Sequence, residues 1–156
     1  MQLKKLLEKW DLTSLKIKAP FLEMEWQPNN EDKTAAWELY IELITRAATQ
    51  RLAPEEGDEA AVLKSIYELF ALTRDTINRN GRYCINFTRI AVVVLNQKIH
   101  PFTAKWHLRA VAGDLDDAAK QNFRAELRDL QTDLRNYTRL LADLADVEDL
   151  TDLEAV

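Results

Sequence analysis

The C-terminal part of the chain has the most regular hydrophobic pattern. Apolar residues recur there at alternating intervals of four and three positions over three heptads. Such a repeat places all its members on one face of a helix, as in coiled coils. The pattern therefore predicts a long last helix, and its apolar seam contains Phe123, Leu127, Leu130, Leu134, Tyr137, Leu141 and Leu144.

Three further helices are predicted upstream from apolar residues that recur three and four positions apart. The first covers about residues 32–52 and follows a loop and N-cap signal at 28–32. The second covers about residues 58–79, after a break at 53–57, and the third covers about residues 86–112. Long amphipathic helices joined by short breaks are typical of helical bundles.

The third of these helices combines an apolar run with a proline. Ile90–Leu95 is apolar at every position, which indicates burial on all sides. Valine and isoleucine also favour strands, but the flanking sequence supplies no sheet partner, so a helix is the preferred interpretation. Pro101 lacks a backbone N–H and clashes with the preceding turn, which predicts a kink or a restart of the helix.

The N-terminal segment, residues 1–30, has a different pattern. One face of a predicted short helix carries Leu3, Leu6, Leu7 and Trp10. This helix is expected to pack on the domain, with weak contact to a membrane surface as the alternative. Residues 12–28 then alternate apolar and polar positions around Pro20, a period of two that is typical of extended chain. An edge strand or a small hairpin is predicted, which lies on the helices or pairs with another chain.

These elements predict one all-α domain over residues 1–156, a four-helix bundle with a kinked central third helix. The short N-terminal helix and the extended, β-like segment are expected to pack on it, and residues 146–156 form an acidic tail. The seam of the last helix is expected to pack on the third helix. Because three heptads are longer than one small partner helix can cover, a dimer surface on part of the seam is the alternative.

Composition narrows the class of protein. With 47% hydrophobic and 30% charged residues the chain is globular, and 3 glycines and 4 prolines are too few for a sandwich or barrel. The single cysteine, Cys84, excludes an intrachain disulfide and fits a reducing compartment. The longest apolar run is far shorter than the roughly 20 residues that cross a bilayer. A cytoplasmic location without membrane insertion is therefore expected.

Charge is unevenly distributed along the chain. Residues 76–113 contain no acidic residue but six basic ones, within a molecule of net charge -5, whereas residues 143–156 contain six acidic residues and no basic one. The preferred interpretation is that acidic side chains of the other helices neutralise the basic segment across the bundle. The alternatives are a basic face for a phosphate-bearing ligand, nucleic acid or acidic partner, and a dimer in which one chain's tail meets the other's basic face.

Nucleic acid is not the expected partner. The pI of about 5.1 and the negative net charge oppose binding to a polyanion. Trp106 lies between Lys105 and His107 and could stack on a base, but a tryptophan at such a position is more often part of a core or an interface.

The segment around Pro101 supplies the candidate ligand-binding residues. They are Arg89, Lys98, His100, Lys105, Trp106 and His107. The two histidines are seven positions apart, about 10 Å along a helix, which is too far to ligate one metal ion. No acidic residue lies nearby in the sequence to orient either ring. Neither a metal nor a cofactor is expected.

No catalytic residue is predicted, because the sequence lacks the motifs that catalysis would need. It contains no glycine-rich phosphate loop, no GxSxG and no HExxH motif. The Arg-then-His spacing expected of a helical-bundle ribonuclease and the paired Glu-x-x-His of di-iron bundles are also missing. An RNA-directed enzyme is therefore the least favoured of three functional hypotheses.

One stretch resembles known sequences. Phe87–Ala91, Leu95–Asn96 and Pro101–His107 resemble a helix of small uncharacterised bacterial proteins, some of them from antiviral or other conflict-type gene clusters. The resemblance covers about 20 residues, and His100 stands where the pattern has arginine. It implies an accessory or adaptor role and carries no active-site residue to this chain.

The favoured hypothesis is a non-catalytic helical module that binds a protein partner, or a second copy of itself, through the last helix or the N-terminal segment. The second hypothesis is a small-anion or nucleotide sensor that uses the basic residues around the kink.

Overall fold

The computed structural model describes residues 1–46 and 59–155. Within these ranges the fold is all-α, as the sequence predicts, and contains no strand. Its elements are α1 (Leu3–Lys9), α2 (Ala19–Glu23), α3 (Asn30–Ile44), α4 (Glu59–Tyr67), α5 (Leu69–Asn80), α6 (Ile85–Val94), a π-helix (Leu95–Ile99), α7 (His100–Val111), α8 (Asp117–Ala145) and a 3-10 helix (Thr151–Ala155).

Two predicted helices have different bounds in the structure. The first ends at Ile44, and the rest of its predicted range, with the break at 53–57, lies outside the described residues. The second is divided into α4 and α5 at Glu68, where the backbone stays helical and keeps its hydrogen bonds to Lys64 and Leu72. No proline or glycine occurs between Glu59 and Asn80, as expected for a nearly continuous helix.

Helix α8 buries its complete apolar seam inside this chain. All seven seam residues are at most 5% exposed. The helix packs most extensively on α3, not on the predicted third helix, and also contacts α4, α7 and the π-helix. Its 29 residues are about 43 Å long, long enough to lie against several elements at once. Because the seam is already covered, it does not supply the dimer surface offered above as an alternative.

The structure has no strand or hairpin in the segment 12–28, and residues 19–23 of it form α2. Pro20 lies in the first turn of α2, where its missing N–H leaves no helical hydrogen bond unmade. Before α2, the chain forms turns and loop that bury Leu12 and Leu15. The one bridge in the described ranges joins Gln2 to Glu25. Alternation over only five residues fits a single helical turn as well as a strand, which explains the difference.

Helix α1 packs on the domain. Leu3, Leu6 and Leu7 are buried, so its apolar face is covered by protein. At its end, the Trp10 indole Nε1–H donates to Asp143 Oδ2 at 2.7 Å, and Lys9 Nζ lies 2.9 Å from the same oxygen. These contacts tie the N-terminus to the last turn of α8.

The start of α3 carries the most highly connected buried carboxylate among the described residues. Asn29 and Asp32 form a capping box, in which each side chain accepts from the other's backbone N–H. Asp32 is fully buried and also accepts from the Phe87 backbone N–H and from Asn86 Nδ2, both at 3.0 Å. The loop and N-cap predicted at 28–32 are therefore present, and they also join α3 to α6.

The apolar run 90–95 is helical, as predicted, but it is not buried on every side. Val92 is 41% exposed, whereas Ile90, Ala91 and Val94 are buried. The run leads into the π-helix, where the His100 N–H bonds to the Leu95 carbonyl five residues back. This wide turn accommodates Pro101, which cannot donate to a normal helical turn. The predicted irregularity at the proline is thus a π-helix followed by α7.

The acidic tail folds back on the same chain. Asp146 ends α8 in the left-handed conformation, with φ of 59°. The Leu150 N–H then donates to the Tyr40 hydroxyl at 2.6 Å, and Arg139 pairs with Asp152 at 2.7 Å. Burial next to Asp149 and Glu148 raises the pKa of Tyr40. The tail is therefore engaged by α3 and α8 of its own chain, which leaves fewer of its carboxylates for a second copy.

Candidate functional site

Lys98 and Lys105 face α8 and form ion pairs with it. Lys105 Nζ lies 2.5 Å from Glu126 Oε1, and Lys98 Nζ lies 3.4 Å from Asp133 Oδ2. Lys98 also donates to Ser14 Oγ at 2.7 Å. The two cations are thus occupied in holding the π-helix and α7 against α8.

Trp106 belongs to the core. It is 1% exposed, and its ring meets Phe123 edge to face with centroids 5.4 Å apart. Its Nε1–H donates to Glu126 Oε2 at 2.5 Å. Because one carboxylate bonds both the indole and the Lys105 ammonium, Trp106 is fixed between α7 and α8 and is not available to stack on a base.

Arg89 lies apart from the other candidates. Its guanidinium stands 4.9 Å above the Phe21 ring, on the side of α6 that faces α2 and the preceding loop. The structure therefore places Arg89, the two lysines and the two histidines in three different depressions.

The two histidines lie together in a different environment. The His107 imidazole stacks on the Tyr67 ring, with centroids 4.9 Å apart and planes at 15°. The His100 ring meets Phe70 edge-on at 6.4 Å. Both rings line one wall of a depression, and Tyr67 and Phe70 line the opposite wall.

We call this depression the histidine groove. It has a volume of about 650 Å³ and is open to solvent. Small side chains lie along it: Ala71 of α5, and Thr103 and Ala104 of α7. The groove lies along α5 and α7, which pack less closely on each other than α4 and α7 do.

The rim of the histidine groove is partly apolar and partly charged. Leu108 is 75% exposed and Tyr67 is 50% exposed, both unusually high for large apolar side chains. Arg74 lines the groove, and Glu68, the carboxylate at its edge, is paired with Arg46 at 3.1 Å. The groove therefore presents aromatic rings, two imidazoles and one guanidinium, while its carboxylate is already neutralised.

Helical geometry offered a signal for this separation. At 100° per residue, positions seven apart share a face, whereas positions two apart lie on nearly opposite faces. Lys98 and Lys105 are seven positions apart and share one face, and His100 and His107 share the other face. Tyr67, which the sequence analysis missed, is an aromatic residue outside the predicted apolar stripe of its helix.

Three of the six basic side chains in residues 76–113 are neutralised by carboxylates of other helices, as predicted. Besides Lys98 and Lys105, Arg79 pairs with Glu38 at 2.8 Å, a hydrogen bond that raises the pKa of Arg79. The other three basic residues contact aromatic rings, and no carboxylate of the described ranges is within ion-pair distance of them. They are Arg82 on Tyr83, Arg89 on Phe21 and Arg109 on Trp106.

Two further candidates for chemistry among the described residues are metal ligands and the single thiol. In residues 1–46 and 59–155 no group of three or more histidine, cysteine, aspartate or glutamate side chains is arranged to hold a metal ion. The Cys84 thiol is buried and donates to the Gly81 carbonyl oxygen at 3.1 Å, which is typical of a thiol that packs in a core.

Comparison of the chain with protein-family models, with curated proteins and with solved structures finds no match. Within the described ranges, none of the helices combines the length and the apolar composition needed to span a bilayer.

Proposed function

We propose that this protein is a non-catalytic interaction module that holds an amphipathic, acidic helix of a partner protein in the histidine groove. The observation that carries the proposal is the open groove of about 650 Å³, in which two aromatic pairs join α4 and α5 to α7 and small residues lie beside them. Grooves between helices that receive a third helix combine such features.

The dimensions of the groove suit a helix. From His100 to Leu108 its wall is about 12 Å long, so a docked helix would lie along roughly two turns. Apolar residues of that helix at positions i, i+4 and i+7 would reach the gap over Ala71 and Ala104. Aromatic and arginine side chains, which line this groove, are enriched in the central parts of protein interfaces.

The charge of the groove favours carboxylates on the partner. Arg74 lines the groove, and Glu68 already pairs with Arg46. A partner helix with lysines at its edges would meet like charge, whereas one with glutamates would gain ion pairs at the rim.

The scaffold that we infer for this groove is the predicted four-helix bundle, in which α4–α5 and the α6–π–α7 rod form the middle pair. A cytoplasmic location, and the accessory role in a bacterial defence system that the resemblance implies, are parts of the same proposal. A small-anion sensor at the kink is the weaker alternative, because Lys98 and Lys105 form ion pairs with α8.

The test is a selection from displayed amphipathic helices that vary at the apolar positions and carry either glutamate or lysine on the outer face. Ala104→Glu places a long charged side chain between the groove walls, and Ala125→Glu makes the same change at an exposed position of α8 that lines no described groove. We expect acidic helices to be enriched. They should bind Ala125→Glu like the wild type and Ala104→Glu about tenfold more weakly, equal to about 1.4 kcal/mol.

Two results would contradict this proposal. Enriched helices that bind Ala104→Glu as well as the wild type would show that the groove is not their site. Self-association of the wild type that Ala104→Glu abolishes, measured by analytical ultracentrifugation, would assign the groove to a second copy of this chain.

A further inference from the structure

A second depression, which shares no lining residue with the histidine groove, lies between α6 and the N-terminal segment. We call it the α6 groove. Its volume is about 430 Å³, within the range of small-molecule sites. The apolar side chains that line it come from α1, α2, α6 and the loop before α2: Leu3, Ile17, Phe21, Ile90, Val92 and Val93.

Three cations line the same groove, and no carboxylate does. They are Lys16, Lys18 and Arg89. The net charge of the chain is -5, so this concentration of positive charge runs against the charge of the molecule as a whole. An apolar lining with cations around it is complementary to a ligand that has a hydrocarbon part and an anionic end.

Hydrogen bonds of the π-helix fix the loop that carries two of these cations. The Gln97 side chain accepts from the Lys16 backbone N–H at 2.7 Å and donates to the Lys16 carbonyl at 2.8 Å. The neighbouring Lys98 donates to Ser14 Oγ. Since both backbone groups of Lys16 are held, the position of the loop relative to α6 is set before any ligand binds, which lowers the entropic cost of binding.

Arg89 is positioned from the other side. Its guanidinium lies over the Phe21 ring at 4.9 Å and makes one long hydrogen bond, 3.5 Å, to Asn86 Oδ1. A guanidinium held by a ring face keeps most of its N–H donors available. Such a group binds a carboxylate through two parallel hydrogen bonds.

We propose that the α6 groove binds a free fatty-acid carboxylate, with the alkyl chain against the apolar lining and the carboxylate at Arg89 and Lys16. This site is separate from the histidine groove and does not depend on it. A bilayer surface is the less favoured source of the same chemistry, since the negative charge of the rest of the molecule opposes approach to an anionic membrane.

The experiment is isothermal titration with dodecanoate below its micellar concentration, next to dodecylamine, which has the same chain and the opposite charge. We expect saturable 1:1 binding of dodecanoate and binding of dodecylamine at least about tenfold weaker. Arg89→Glu and, separately, Lys16→Glu should each weaken dodecanoate binding about tenfold. Lys4→Glu, the same charge change at an exposed α1 residue outside the groove, should leave it unchanged.

Thermal melts followed by circular dichroism establish that each variant is folded, and Arg89→Gln, which should also weaken dodecanoate binding, provides a milder change if Arg89→Glu unfolds the chain. Equal affinity for dodecanoate and dodecylamine would overturn the proposal. Equal losses in Lys4→Glu and Lys16→Glu would do so too, because they would reduce the effect to overall charge. Binding to vesicles of phosphatidylglycerol without binding to monomeric dodecanoate would assign the surface to a membrane instead.

Discussion

The junction between α3 and α6 and the histidine groove between α5 and α7 are both lined by polar side chains, yet one is closed and the other open. At the junction, the fully buried Asp32 carboxylate accepts hydrogen bonds from Asn29, Asn86 and Phe87. At the groove, His107 stacks on Tyr67 and His100 meets Phe70 edge-on, and the groove beside these rings is open to solvent.

The difference between the junction and the groove separates polar groups that stabilise the fold from polar groups that are available to a ligand. A buried polar group stabilises a junction only when its hydrogen-bonding capacity is used, and Asp32 meets this condition. The exposed Tyr67 and Leu108 add little to the stability of the chain, because folding hides less of their apolar surface from water. The junction should therefore be sensitive to mutation in its stability, and the groove in its binding.

The largest expected effect is at the junction. Asp32→Ala should lower the free energy of unfolding by about 3 kcal/mol, because it removes the carboxylate half of the capping box and leaves the Asn29 N–H and the buried Phe87 N–H without their acceptor. Urea denaturation at pH 7 measures the change. Glu31→Ala, at an exposed position of the same helical turn, is the control and should change stability by less than about 0.5 kcal/mol. Equal effects of the two substitutions would remove the basis of the comparison.

Asp32 also shows which parts of the fold can be predicted from the sequence and which cannot. The N-cap at 28–32 is a local signal and could be recognised, as could the seam of α8, whose seven members repeat without interruption. The bond from Asp32 to the Phe87 N–H joins residues 55 positions apart. No local pattern contains such a contact, since it depends on how α3 and α6 pack. The same holds for α2, which forms where a short alternating stretch predicts extended chain.

The candidate site was predictable to a similar degree. The sequence placed Lys98, His100, Lys105 and His107 on one helix, and helical geometry separates them into two faces. It did not indicate that α8 supplies carboxylates to one face. Nor did it indicate that Tyr67 and Phe70 contact the histidines on the other face, because these contacts depend on how α4 and α5 pack on α7.

The second prediction concerns a largely buried ion pair at the start of α4, between Glu59 and Arg124 of α8. The two side chains are largely buried, with Arg124 Nε 3.0 Å from Glu59 Oε1. Burial alone would raise the pKa of Glu59. Hydrogen bonds from its own backbone N–H and from Arg124, with the charges of Arg124 and Lys120, hold that pKa below its usual value.

Glu59→Gln should therefore lower the free energy of unfolding by about 1.5 kcal/mol at pH 7. A carboxyl whose pKa is lowered by folding stabilises fully above its unfolded-state pKa of about 4.3, and the contribution is lost as pH falls through the lower folded-state pKa. The gap between wild type and variant should thus close as the pH is lowered below about 4, in urea melts recorded across that range. Asp129→Asn, an exposed change on α8, serves as the control. A gap that stays constant with pH would mean that the ion pair does not contribute.

The smallest expected change in the free energy of unfolding is at the histidine groove. This measurement tests whether the groove is open in solution. Leu108→Gln should change the free energy of unfolding by no more than about 0.5 kcal/mol, since the two residues have similar helix propensity and the side chain is mostly in water. Leu127→Gln, in the buried seam, should cost more than about 3 kcal/mol and shows that the assay detects a buried leucine. A loss above about 1 kcal/mol for Leu108→Gln would mean that Leu108 packs against the protein in solution. The walls around Tyr67 and His107 would then be closed together, and the histidine groove would be part of the core like the α3–α6 junction.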